Sequence, residues 1–194
     1  MHSQRAGERV LASVTRYLDQ RLHLPVNTTK SAVDRLARRP YLGFTFLQSR
    51  EGYRIGVARE SRRRVRRRLR ERTDRQARGT LSQRIQAVNR FLAGGVGYFA
   101  LADTPTPFRD LESWVRHRFR AMVWNRWKRV RTRYRNLRAL GLPEWRVRAL
   151  ANSRKGPWRT AAGPLNRVLT VAYGDAQGLH RLLSLYESTR LRWQ

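Results

Sequence analysis

The 194-residue, 22.9 kDa chain is long enough for one domain or two small ones, and 43 Lys+Arg against 13 Asp+Glu leave a formal charge of +30. That excess repels itself on folding and asks for a polyanion, while six Trp, seven Tyr and six Phe exclude a wholly disordered basic tail. Cysteine is absent and His2, His23, His117 and His180 are scattered, which excludes disulfide frameworks, thiolate zinc sites and paired-histidine metal motifs.

In chain order, Glu8 to Leu22 reads as an amphipathic helix with Val10, Val14, Tyr17, Leu18 and Leu22 on one side, stopped by Pro25. Leu24 to Asn27 reads as a short strand or a turn. Tyr41 to Leu47 reads as a strand, Ser49 to Gly52 as a turn, and Tyr53 to Val57 as the returning hairpin partner. Arg59 to Arg78 holds 11 arginines around Val65 and Leu69, whose i, i+4 spacing fits a helix with a narrow apolar stripe. The same charge density also fits a disordered linker. Leu81, Ile85, Val88 and Leu92 mark the next helix, which runs to a bend or close backbone approach at Gly94-Gly95.

After the loop Asp103 to Pro107, one long helix is expected from Phe108 to Leu140, stopped by Gly141 and Pro143. Its apolar stripe includes Trp127, while Arg109, Arg116, Arg120, Arg131, Arg135 and Arg138 fill another face. Glu144 to Ala151 reads as a short helix, Asn152 to Arg159 as a basic loop, and the tail as one short helix using Leu179, Leu182, Leu183 and Tyr186.

No apolar run approaches the ~18–20 residues of a membrane span, and Met1 to Arg9 is polar without a signal-peptide core. A cytoplasmic, nucleic-acid-associated protein without cofactor or metal is expected. The acids do not converge into a general acid–base pair or a two-metal site, so no catalytic residue is assigned. All basic residues except Lys30, Lys128 and Lys155 are arginine. A GC-rich genome produces that bias, but arginine also forks onto phosphate oxygens and stacks on bases. The expected nucleic-acid contacts are Arg63, Arg67, Arg116, Arg120, Trp124, Lys128, Arg131, Arg135, Arg154, Lys155 and Trp158. Trp124 lies off the apolar stripe, among Arg116, Arg120 and Arg131, and is expected to stack on a base or on an arginine. Trp158 is divided between core packing and ligand contact.

Asn89 to Gly94, Tyr98-Phe99, Leu111 to Arg116, Trp124 to Lys128 and Gly156-Pro157-Trp158 resemble, in order and spacing, the maturase-specific region of group II intron reverse transcriptases. Leu24 to Asn27 with Lys30-Ser31 is similar to the sixth block of that family's palm. Tyr41, Leu42, Gly43 and Phe44 resemble the primer-grip hairpin of the seventh. The resemblance spans about residues 4 to 185 and implies a mainly α fold, a helical thumb/X domain behind a small α+β piece. On this reading 1–58 is a palm remnant, 59–80 an arginine-rich connecting helix or linker, and 81–194 the RNA-binding domain. Gly95 departs from the family, which has Trp after Gly94. The Tyr-Ala-Asp-Asp block of the family falls before Met1, so no independent polymerase activity is expected. The implied partner is structured intron RNA, with splicing assistance as the role. The alternatives are a general nucleic-acid binder, including DNA, and the non-catalytic half of a split reverse transcriptase. Either a separate palm-and-fingers polypeptide or self-association would cover the apolar face of the first helix.

Overall fold

A computed structural model describes residues 3–76 and 78–192. Ser3 caps α1 (Gln4–Leu22) by accepting the Ala6 amide at 3.2 Å, and His23 ends it in the left-handed region. The apolar stripe of α1 faces solvent, with Val10, Val14, Tyr17 and Leu22 about half exposed. Residues 24–27 form no strand: Pro25 supplies no amide for a ladder, and Asn27 instead turns the chain by accepting the Lys30 amide at 3.1 Å.

The hairpin forms as expected, from β1 (Phe44–Ser49) and β2 (Gly52–Val57), antiparallel with Phe44 opposite Val57. Its entrance is a tight turn. Tyr41 and Phe44 exchange both backbone hydrogen bonds at 2.9 Å, leaving Leu42 (φ 48°) and Gly43 (φ 82°) as the two left-handed central residues. The following helices hold this turn: Ser61 Oγ and the Ala58 amide donate to the Gly43 carbonyl, and Tyr98 Oη donates to the Leu42 carbonyl at 2.7 Å. A Cβ on Gly43 would lie 2.8 Å from Ser61 Oγ. Gly43→Ala therefore combines left-handed strain with a steric conflict, and should cost ~2 kcal/mol. A melting curve should show a loss of roughly 4–8 °C for a chain of this size, and an unchanged transition would sink this account of the turn.

The arginine run is helical over α2 (Arg59–Arg72). Leu69 is fully buried and Val65 partly so, which docks α2 on α3 (Leu81–Phe99) and α4 (Thr106–Arg126). Thr80 and Gln83 form a reciprocal capping box at the start of α3. Gly94 and Gly95 do not bend α3, and a Cβ at either meets nothing within 4 Å. The expected bend or close approach is absent. Gly95 instead opens onto a cavity of about 320 Å³ between α2, α3 and α4.

The single long helix is also corrected. It divides into α4 and α5 (Val130–Ala139), because Trp127 leaves the helical region (ψ 58°) and Arg129 is extended. A continuous helix would satisfy the Trp127 carbonyl from its own backbone. Here Arg133 Nε donates to it at 2.9 Å, so a side chain caps the break. Both Trp127 and Leu137 thereby reach the core. Gly141 (φ 78°) turns the chain into α6 (Glu144–Ala151), which packs on α5.

The tail is four helices rather than one: α7 (Pro157–Ala162), α8 (Pro164–Val168), α9 (Val171–Ala176) and α10 (Leu182–Arg190). Gly163 and Pro164 separate the first pair, so the expected basic loop ends at Gly156. Helix α4 is the central strut, touching α2, α7, α8, α9 and α10. Phe108 stacks on Tyr186 with 4.1 Å between ring centres, and Asn89 bonds Gly178 and His180 across the α3–α10 junction. The fold is mainly α, with one hairpin ahead of the helical body.

Candidate nucleic-acid interface

The basic residues divide by burial into structural arginines and a free cationic surface. Arg116 and Arg120 belong to the first group, against expectation. Arg116 is 6% exposed and lies between Glu112 (3.0 Å) and Asp175 (3.0 Å), with Arg181 on the far side of Asp175. Glu112 also accepts the Leu183 amide at 2.9 Å, so this ion cluster joins α4, α9 and the start of α10. Partial burial alone would raise the Asp175 carboxyl, but hydrogen bonds from Arg181 and Arg116 outweigh it and hold the group below the ordinary carboxylate range. Arg120 is buried and donates from Nε to the Ala161 carbonyl at 3.2 Å, tying α4 to α7.

Trp124 is likewise not free to meet a base. It is 1% exposed, in the core beside Trp127, with the Arg133 guanidinium 4.4 Å from its ring centre. Helix periodicity placed it off one apolar stripe, but α4 is covered on several sides, so it has no single solvent face. The exposed aromatic that sequence reading missed is Trp145, 66% exposed on α6 beside Arg146. Trp158 is about half exposed. Its outer ring is stacked on His117 at 3.8 Å, and the His117 Nε2–H donates to its carbonyl. Burial, partly countered by that bond, holds the His117 imidazole below its ordinary value, with Arg120 and Arg118 acting in the same direction as burial.

Three cationic areas remain. The first is the outer side of α2, where Arg59, Arg62, Arg63, Arg64, Arg66 and Arg67 are all exposed, with Arg68 and Arg70 continuing the series. Among the described residues, only Arg68 of this helix lies within ion-pair distance of a carboxylate (Glu71, 3.5 Å). The second is α5 with its preceding turn, exposing Lys128, Arg131 and Arg135. The third is an open depression between α6, α7 and α8, where Trp145 and Arg146 face Arg154, Lys155, Arg159 and Arg167. Of the expected RNA contacts, Arg63, Arg67, Lys128, Arg131, Arg135, Arg154 and Lys155 are solvent-facing. Tyr41 and Leu42 of the primer-grip-like turn are exposed, while Phe44 packs on Tyr98 and Phe99. Among the described residues no three His, Cys, Asp or Glu side chains converge as a metal site, and no helix is long and apolar enough to cross a membrane.

Residues 62–141, from the first turn of α2 through the glycine that ends α5, match the family model of the group II intron, maturase-specific domain. Over this segment the chain is similar to a maturase-specific domain. No curated protein matches the sequence. The matched segment holds most of the exposed α2 arginines and the α4–α5 break. The matched segment thus begins inside the arginine-rich helix.

Proposed function

We propose that this chain binds structured intron RNA through phosphate contacts and assists its splicing, with no catalytic step of its own. The uncompensated arginines of α2 carry the reading. Eight of them project from 12 consecutive residues, within or beside the matched maturase-specific segment, with one carboxylate partner among them. Such a row repels itself until phosphates neutralise it. Helix α2 is held rigid by Leu69 beneath, so its charges are presented in one fixed geometry. The basic depression around Trp145 adds an aromatic plane on which an unstacked base can lie.

The test measures affinity for a structured group II intron RNA across a potassium chloride series. The logarithm of affinity should fall by roughly 0.7–0.9 per neutralised phosphate for each log unit of salt. Arg63→Ala with Arg67→Ala should therefore flatten the slope by about 1.4–1.8. The wild-type chain should accelerate splicing of the same RNA at limiting magnesium, and the double variant should do so less. Given a primer and template, the same preparation should add no nucleotide. A slope near zero removes the phosphate account, and tight binding without faster splicing leaves a general nucleic-acid binder. The exposed apolar stripe of α1 favours a second reading, in which a separate palm-and-fingers polypeptide covers it. A neighbouring reading frame ending in Tyr-Ala-Asp-Asp would support that reading.

A further inference from the structure

Helix α3 begins with the apolar series Leu81, Ile85, Val88, and Arg84 interrupts that series on the buried side. The Arg84 residue is 8% exposed, and its Nε is fully buried without a hydrogen-bond partner in the protein. No carboxylate lies within ion-pair distance of it among the described residues. This differs from Arg116, which is equally buried but held between two carboxylates. A buried guanidinium nitrogen without a partner, on a charge without a counter-charge, is costly and is rarely left so.

Its surroundings add to the imbalance. Arg84 lines a groove of about 730 Å³ together with Arg75, Arg126, Lys128 and Arg133. No acidic side chain lines the groove; Asp74 is the nearest carboxylate that acts on Arg84, and it lies outside. Burial first, and Arg126 second, push the Arg84 guanidinium below the ordinary arginine value, with Asp74 opposing them. Gly79, one residue before the capping Thr80, forms part of the wall, so the groove opens beside the positive end of the 19-residue α3. Thr73, Met122 and Asn125 complete the lining with uncharged side chains.

We propose that this groove is a phosphate-type oxyanion site in which Arg84 is the buried anchor. Arg126 and Lys128 are the exposed cations that close around the anion, and Arg133 adds positive charge from its fixed place in the wall. Arg126 donates to the Gly79 carbonyl (3.4 Å) in the groove wall, and Arg133 is fixed by the Trp127 and Ala151 carbonyls. If the occupant is an RNA phosphodiester, the site supplies a specific anchor for the general phosphate binding proposed above, and in that respect rests on it. The oxyanion site itself does not.

The experiment has a phosphate arm and an RNA arm, each run on wild type and Arg84→Met. Methionine keeps the length and apolar stem while removing the charge. Without ligand, Arg84→Met should melt at the same temperature as wild type or higher, since an uncompensated buried charge is removed. Adding inorganic phosphate should raise the wild-type melting temperature more than sodium chloride of equal ionic strength, because a ligand of the native state stabilises it by mass action. Arg84→Met should lose that excess. In the RNA arm, Arg84→Met should bind structured RNA roughly tenfold more weakly and flatten the salt slope by about one.

Loss in both arms assigns the site to RNA phosphate; loss in the phosphate arm alone assigns it to free phosphate, and both support the proposal. An equal phosphate effect in wild type and variant overturns it. So does a melting temperature that falls when the charge is removed, since Arg84 would then be a structural residue. If wild type binds RNA without salt dependence yet retains the phosphate effect, the RNA-binding reading fails and the oxyanion site stands. A semi-conservative Arg84→Lys, with its point charge retained, should keep part of the phosphate effect and guards against a packing artefact of methionine.

Discussion

Trp124→Ala is expected to destabilise this protein strongly rather than to weaken a base contact. The ring is 1% exposed and is the largest of the fully buried side chains, contacting Trp127 and covered by the Arg133 guanidinium. Truncating a buried tryptophan removes its transfer free energy and leaves a cavity, together about 3–5 kcal/mol. At 2–4 °C per kcal/mol for a chain of this size, the melting temperature should drop on the order of 10 °C. Trp124→Phe should cost much less, because it keeps most of the packed volume and removes an indole N–H that has no partner in the protein. Thermal melts of the two variants check this. A Trp124→Ala protein as stable as wild type, with its preference for structured RNA lost, would return Trp124 to the interface.

Arg116→Ala should be as damaging, for an electrostatic reason. Removing one member of a buried ion cluster strands the rest, at about 3–5 kcal/mol. Asp175 would keep Arg181 at 2.6 Å, but Glu112 would keep only the Leu183 amide in a largely buried site. The double variant Arg116→Met, Glu112→Leu should therefore recover part of the loss, which a role in RNA contact would not predict. Urea denaturation of the single and double variants measures it. The cluster also sets an acid limit. Asp175 has its folded pKa depressed, so its contribution is complete above the unfolded value of ~3.9 and disappears as pH falls through the lower folded value. Equal stability of Arg116→Ala and wild type at neutral pH would overturn the structural assignment.

Much of this protein was readable from local pattern. The alternation of Tyr53 to Val57, the breaker Pro25 and the 3.6-residue spacing of Leu81, Ile85, Val88 and Leu92 each specify an element without outside help. The order of short motifs from Asn89 to Trp158 pointed to the maturase-specific region, and the family match over 62–141 agrees with it. Net charge likewise is a property of composition alone. What the sequence could not determine was which arginines stay in water. Arg63 and Arg116 are the same side chain on amphipathic helices. One is exposed because α2 has a single docked face; the other is buried because α4 is enclosed by α2 and the tail helices, and Glu112 and Asp175 meet it there.

The α4–α5 break also depended on tertiary structure. Phe108 to Leu140 contains no glycine or proline, so nothing local stops the helix, and only the Arg133 side chain and the burial of Leu137 make the turn favourable. Arg84 left a faint local trace, a charge between Leu81 and Ile85, but a charge on an apolar stripe is informative only when its surroundings are known. Those come from residues 75, 126, 128 and 133, too far along the chain for periodicity to join. Sequence by itself determined the hairpin, the early helices and the sign of the surface. Tertiary packing decided which cations are free, because burial is set by neighbours distant in the chain.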